Sequence, residues 1–279
     1  MGRHVLIDPS GGQLPLDGSA GVREMWGADG RYAPPIEHLA DPAVGRDGAV
    51  LRDIRFGSRD VTLPLLIDGD KNEVVRSMMS QFSPRRGDSR LRYEADGGTR
   101  ELVGRLAGVM APDERGLSSP GHLSAILTFR AHDPFWRDPQ NIQVGFSLDL
   151  PNFFPVPPLE LTLDQLSTDA VIDNGGDVEA WPVWQIAGPT PGPVVLTHEE
   201  GAVLELEREL VAGEVVTVDT RPGHKTVVST VDGSVYGDLT SDSEMWPLQP
   251  GSQTVLVDIP SPGEDAQVIL TFRRRWFTP

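Results

Sequence analysis

Histidines are the first place to look for a metal ligand or a general base, and the chain has six: His4, His38, His122, His132, His198 and His224. None stands at the spacing that puts two imidazoles on one helix face, and no His-Glu-x-x-His occurs. His132-Asp133 has the residue types of a catalytic pair, but adjacent residues on a strand point to opposite faces. No Gly-x-Ser-x-Gly elbow anchors a serine hydrolase, and neither common phosphate-cradling loop is present. With no cysteine, the chain has no thiol nucleophile, disulfide framework or Cys-ligated metal. Asp68-Gly69-Asp70-Lys71-Asn72-Glu73 begins like a calcium loop. Its sixth position should be Gly and is Glu73, and its twelfth should be Glu and is Met79, so a helix cap explains it better. Arg86-Gly87-Asp88 matches an adhesion tripeptide, too short to outweigh a plain helix-to-strand link. Among 41 acids, carboxylate pairs arise by chance, so pairing alone carries no glycosidase signal. The expectation is a chain without catalytic, cofactor-binding or metal-binding residues.

The tryptophans leave a second class of chemistry open. Trp26, Trp136, Trp181, Trp184, Trp246 and Trp276 could include a sugar-stacking platform. Trp181-Pro182-Val183-Trp184 sets two of them on opposite faces of an extended segment, so one is expected in the core, and core is the default for the others.

The elements that would position these residues are mostly strands. The 279 residues are 38% hydrophobic, enough for a sizeable core, and the 30 glycines and 25 prolines break elements too often for long helices. The first residues lack a signal-peptide core, and no apolar run is long enough to span a bilayer. Net charge is −17, which opposes phosphate-backbone binding. Its distribution is uneven: residues 1–137 hold 18 basic and 19 acidic side chains, whereas 138–279 hold 6 and 22. That break predicts two domains, 1–140 and 141–271.

Residues 9–50 show no sustained period and read as loops with short extended pieces, an arm or interface segment. A strand is expected at Arg59–Ile67 and a helix over 70–82, capped by Asp70, with Glu73 in the capping-box position and Val74, Val75, Met78, Met79 and Phe82 on one face. Strands are predicted at Arg90–Glu94, Glu101–Val109 and Leu123–Arg130, the first two joined through Asp96-Gly97-Gly98. Pro139, Pro151, Pro155, Pro157 and Pro158 give a linker composition around a strand at Gln143–Leu150. Short strands follow at Leu204–Leu210, Val215–Asp219, Thr226–Thr230, Thr254–Ile259 and Val268–Phe272, as in a β-sandwich or barrel.

Several of these stretches, in order, resemble the distal tail protein family of siphovirus-type bacteriophages, in the form common among phages of actinobacteria. The most specific is Asn174-Gly175-Gly176-Asp177-Val178-Glu179-Ala180-Trp181-Pro182-Val183-Trp184. Gly213–Gly223, Trp246-Pro247-Leu248-Gln249-Pro250-Gly251-Ser252 and Leu270–Trp276 follow it. Arg59–Gly69 and Ala131-His132-Asp133-Pro134-Phe135-Trp136 match in the first half. The resemblance implies an N-terminal ring-forming β domain with one helix and a C-terminal galectin-like β-sandwich. It implies a virion protein at the tail tip, a six-fold ring between tail tube protein and tip hub or tail-associated lysin. Receptor-binding proteins or a host glycan would be further partners, with no membrane and DNA only in passage. Asp133, Pro134, Phe135, Trp136, Trp181, Pro182, Trp184, Trp246 and Pro247 would be structural residues of the domains and their junction. Arg273, Arg274, Arg275, Trp276 and Phe277 would form a docking segment if residues 272–279 return to the first domain. The alternative is a carbohydrate-binding or host-adhesion module built on the sandwich.

Overall fold

The computed structural model describes residues 2–107, 111–112, 122–147 and 165–279. The chain forms two compact units, Met1–Pro139 with Trp276–Pro279, and Gln140–Arg275. Both are β-rich, and one α-helix occurs among the described residues.

The first unit carries β1 (Arg3–Ile7), β2 (Gln13–Pro15), β3 (Val22–Glu24), β4 (Ile36–Pro42), β5 (Ala49–Phe56) and β6 (Arg59–Asp68), then α1 (Lys71–Gln81). After these come β7 (Ser89–Ala95), β8 (Gly98–Leu106), β9 (Ala111–Pro112), β10 (His122–Ala131) and β11 (Trp136–Arg137). Its main sheet runs β2-β1-β7-β8-β10-β6-β3. Strict alternation along β6 buries Val61, Leu63, Leu65 and Ile67 against Leu91, Leu102, Leu127, Phe129 and Trp136. At the start of the same buried face stands a charged residue, Arg59. Asp70 caps α1, its Oδ1 accepting from Asn72 N at 3.1 Å and Glu73 N at 3.2 Å. The helix inserts Met78 and Phe82 into the core, while Val74 and Val75 pack half-buried. At Gly104 the chain passes so close to β10 that an added Cβ would meet Arg130 O at 2.1 Å, a contact only glycine permits.

Within residues 9–50 lie two short strands, β2 and β3, among loops, and a longer paired hairpin formed by β4 and the start of β5. β4 and β5 pair only with each other, and all fifteen of their residues are exposed. Cross-strand pairing puts Ile36 opposite Phe56, His38 opposite Ile54 and Ala40 opposite Leu51, giving one nearly apolar face. The other face holds Glu37, Asp41, Asp53 and Arg55 with Leu39 and Val50. Asp41 pairs with Arg52 at 2.7 Å and Asp53 with Arg55 at 3.2 Å. A bulge at Arg52 breaks the period of two, which hides the hairpin in the sequence.

The second unit is two antiparallel sheets. One contains β12 (Ile142–Ser147), β14 (Val183–Ala187), β17 (Val215–Asp219), β18 (Thr226–Ser229), β19 (Gly233–Ser234) and β21 (Gln267–Phe272), in the order β12-β21-β14-β17-β18-β19. The other orders β13 (Gln165–Asn174), β20 (Gly251–Pro260), β15 (Val194–His198) and β16 (Val203–Leu206) as β13-β20-β15-β16. Trp184, Ile186, Val216, Val218 and Leu270 from the first sheet share one core with Leu196, Leu204, Val255 and Val257 from the second, as in a β-sandwich. The strand expected over Leu204–Leu210 ends at Leu206, because Glu207 N turns to Asp238 O at 2.8 Å. Residue 109, residues 148–150, and Pro151, Pro155, Pro157 and Pro158 lie outside the described residues. A last strand, β22 (Arg275–Trp276), marks where the chain re-enters the first unit.

Candidate functional site

The histidines are dispersed rather than gathered. His4 is buried, with Nδ1 2.6 Å from Glu24 Oε2 and its ring against Tyr93. His122 pairs with Asp68, and His198 Nε2 lies 2.8 Å from Gln253 Oε1 inside the sandwich. His132 is exposed, whereas Asp133 turns to Arg137 and accepts from Phe135 N. Among the described residues no group of three His, Asp or Glu side chains is arranged to hold a metal ion. A depression of about 400 Å³ beside Pro189, Thr190 and Leu210 has one ionisable lining residue, Glu209, which leaves any acid–base pair incomplete.

The densest charge cluster is in the second unit. Arg208 Nε donates to Glu214 Oε1 at 3.1 Å, its Nη1 donates to Asp238 at 2.9 Å, and its Nη2 reaches Asp232. Hydrogen bonds to Asp238 and Asp232 hold the guanidinium above its ordinary pKa. Burial alone would push the Glu214 carboxyl up. Bonds from Ser229 Oγ at 2.6 Å, from Val211 N and from Arg208 outweigh it, so Glu214 lies below its ordinary value. A carboxylate held ionised by that many donors is a poor proton carrier, and the cluster ties loops together.

In the first unit the arrangement that sequence reasoning missed centres on Arg59, which is 0% exposed. Its Nη1 donates to Arg31 O and its Nη2 to Phe277 O, both at 2.8 Å. Burial pushes the guanidinium down to about 10, with Asp133 opposing. Trp136, fully buried, donates from Nε1 to the same Arg31 O at 3.0 Å. Phe135 is buried and meets the rings of Phe56 at 5.3 Å and Phe277 at 5.8 Å, while Pro134 is buried beside it. Arg59 therefore clamps two chain segments far apart in sequence. A charged residue opening a strand reads as surface, and nothing local marked it as interior.

The structure divides the expected C-terminal segment. Trp276 and Phe277 belong to the first unit: Trp276 Nε1 donates to Asp138 at 2.8 Å, and the Arg100 guanidinium lies 3.8 Å from the Trp276 ring centre. Arg100 Nη1 also donates to Thr278 O at 2.7 Å. Arg273, Arg274 and Arg275 stay with the second unit, correcting the expectation that they move with the tail. Acids and amides of that unit hold them: Asn141 takes Arg273 at 2.5 Å, Asp173 takes Arg274 at 3.3 Å, and Glu179 takes Arg275 at 2.9 Å through its carbonyl.

The tryptophan platform does not assemble. Trp184 is fully buried and Trp246 nearly so, their rings 5.5 Å apart edge to face. Trp181 is half-buried, Pro182 is buried with its carbonyl accepting from Thr220 Oγ1 at 2.6 Å, and Pro247 is half-buried. The default of core placement fails at Trp26, which is 93% exposed. Trp26 follows Met25, whose N–H donates to Pro64 O at 2.8 Å, and Ile126 lies directly across from Pro64. Met25, Trp26 and Ile126 are all exposed, Met25 and Ile126 lying on either side of Pro64 of β6.

Residues 175–276 match the family model described as siphovirus-type tail component, C-terminal domain. Among solved structures, the chain is similar to the crystal structure of the Dit protein of phage SPP1, described as a paradigm of the hub adsorption apparatus in phages infecting Gram-positive hosts. Identity is 14%, the TM-score is 0.70, and 98% of each chain is covered. A chain of the phage P2 baseplate in its activated conformation with calcium aligns over 100% of both chains at 10% identity and a TM-score of 0.57. The strontium form gives 11% and 0.56. No curated protein matches.

Proposed function

We propose, on the premise that residues 175–276 are a siphovirus-type tail component C-terminal domain, that this chain is a structural protein of a long-tailed phage virion, placed in the distal hub of the tail. The observation that carries the reading is the fold of the whole chain. It follows an adsorption-hub protein from end to end, so the likeness extends through the first unit as well as the domain the family model covers. In this reading copies of the chain close into a ring, six-fold in the form the family resemblance suggests. The ring joins the tail tube to the tip hub and carries receptor-binding proteins. The function is mechanical, in keeping with residues that build sheets and staples rather than a reacting constellation. The glycan-binding alternative loses its support, since Trp184 and Trp246 serve as sandwich core.

Negative-stain images of the purified protein test this directly. Rings with a central hole are expected; discrete single copies at every concentration, alone and with tail-tube and hub proteins of the same phage, would overturn the ring. Turnover of host cell-wall material by the purified chain would overturn the non-catalytic part.

A further inference from the structure

The depression of about 400 Å³ on the second unit has the build of a binding site, although it lacks an acid–base pair. Three chain segments form it, and hydrogen bonds fix each to the next. Thr190 N donates to Leu210 O at 3.0 Å and Leu210 N to Thr190 O at 2.9 Å. Gly263 N donates to Pro189 O, and Thr190 Oγ1 to Pro260 O, both at 2.9 Å. Position 263 has to be glycine, since a side chain there would run into the Pro189 ring. Val211 N donates to Glu214 Oε2 at 3.2 Å, which steadies the third segment. Walls fixed in this way need not be ordered when something binds. Pro189, Pro191, Leu210, Val211 and Ala212 make the lining largely apolar, and Val211 is 53% exposed. The charge around it is negative. Glu209 belongs to the lining, Glu207 stands two residues before it, and Glu264 and Asp265 follow Gly263 directly; all four are exposed. Arg208, the one cation in these segments, is tied to Glu214, Asp232 and Asp238.

We propose that this depression takes an aromatic side chain that a partner protein presents beside arginine or lysine. Two features select that partner. Proline rings pack well against aromatic faces, and a site of this volume holds one large side chain rather than a folded surface. An aromatic anchor seated in a preformed pocket is also where binding energy concentrates in protein interfaces. The acidic rim then complements cations on either side of the anchor. It disfavours the second unit of another copy, which holds 6 basic and 21 acidic side chains and is itself strongly acidic. A sugar fits less well, because an apolar lining leaves its hydroxyls short of hydrogen-bond partners.

Fluorescence polarisation on the full chain tests this with three labelled peptides, Gly-Arg-Trp-Arg-Gly, Gly-Arg-Ala-Arg-Gly and Gly-Glu-Trp-Glu-Gly. The first is expected to saturate, and the other two to bind at least about tenfold more weakly, the loss expected when an anchor is removed or its charges are reversed. Two variants act at exposed positions of the wall. Ala212→Trp fills the depression and Val211→Ser strips an apolar contact from it. Both are expected to melt as wild type does and to weaken the first peptide, Ala212→Trp by about tenfold or more. Glu209→Gln should weaken it about two- to fivefold and reduce its salt dependence. A first peptide that does not saturate, or an alanine peptide that binds as tightly, overturns the aromatic anchor. Equal binding of the glutamate peptide, or unchanged binding by Glu209→Gln, overturns the role of the acidic rim. Unchanged binding by both Ala212→Trp and Val211→Ser puts the contact elsewhere and overturns the site. Peptide binding needs no ring, so this proposal and the tail-hub reading can fail separately.

Discussion

Replacing Arg59 with Met tests whether a fully buried charge holds the first unit together or merely survives in it. Two opposing effects have to be weighed. Burial lowers the guanidinium from its ordinary 12.5 to about 10, a shift that corresponds to roughly 3 kcal/mol against keeping it charged. Methionine removes that cost and fills much of the same space. Against it stand two charge-assisted bonds at 2.8 Å, worth roughly 1.5–3 kcal/mol each. The two carbonyls fare differently once they are lost. Arg31 O keeps the Trp136 indole at 3.0 Å, whereas Phe277 O loses its charged donor. The balance favours arginine, by up to about 3 kcal/mol. For a unit of this size that lowers the melting temperature by up to about 12 °C. The loss should be local. Hydrogen exchange read by mass spectrometry should show faster exchange in peptides covering Arg59–Asp68 and His122–Ala131, the pair of strands that Arg59 begins. Arg59→Lys, with one ammonium for two carbonyls, should fall between. A Met variant as stable as wild type, with unchanged exchange in those peptides, would show that the burial cost exceeds the bonds and that the clamp is dispensable.

Acid should weaken the second unit. Glu214 and Asp219 titrate below their ordinary 4.5 and 3.8, so their stabilisation is whole above about pH 4.5 and fades as pH falls through their folded values. Arg208→Ala, which strands Glu214, should flatten that pH dependence in a chemical-denaturation series from pH 7 to 3; an unchanged slope would count against the cluster. Trp184→Ala should cost about 3–5 kcal/mol, seen as a lower unfolding midpoint in urea, because the indole fills the centre of the sandwich. Gly104→Ala should cost about 1–3 kcal/mol by forcing β8 from β10, measurable as a drop in soluble yield and melting temperature. Asp70→Ala should cost about 1 kcal/mol through the lost cap, with faster amide exchange in peptides over Lys71–Gln81 as the readout.

What could be read from the sequence was whatever had a local signature. Asp96-Gly97-Gly98 between alternating runs foretold the β7–β8 hairpin, and Asp70 with its apolar face foretold α1. A mainly β chain with one helix followed from the same signals. The pairing of β4 with β5 inside the expected arm escaped because the bulge at Arg52 shifts its alternation and because neither face is buried, so no hydrophobic period had to be kept. Arg59 escaped for the opposite reason: its partners are carbonyls of Arg31 and Phe277, and backbone acceptors leave no mark in side-chain types. The Leu204–Leu210 alternation was misleading, since Leu210 reaches the core from a bridge to Thr190 after the strand has ended. The arginine run at 273–275 drew attention as a block of charge, yet its three side chains serve one unit while the aromatic residues after it serve the other.

The pairing of the first and last full strands of the second unit, Ile142 beside Phe272, bears on the order in which the polypeptide acquires its structure. Trp276–Pro279 can join the first unit only by spanning the 136 residues Gln140–Arg275. As an open coil, an excursion of that length costs about 4 kcal/mol of closure entropy, from a dependence of (3/2)RT ln n. Once β12 and β21 have zipped, the two ends of the excursion leave from neighbouring strands and most of that cost has already been met inside the sandwich. The sandwich is thus placed to mature first, and the final four residues to seat last on the Arg59 clamp, as a latch closed by a piece that is already folded.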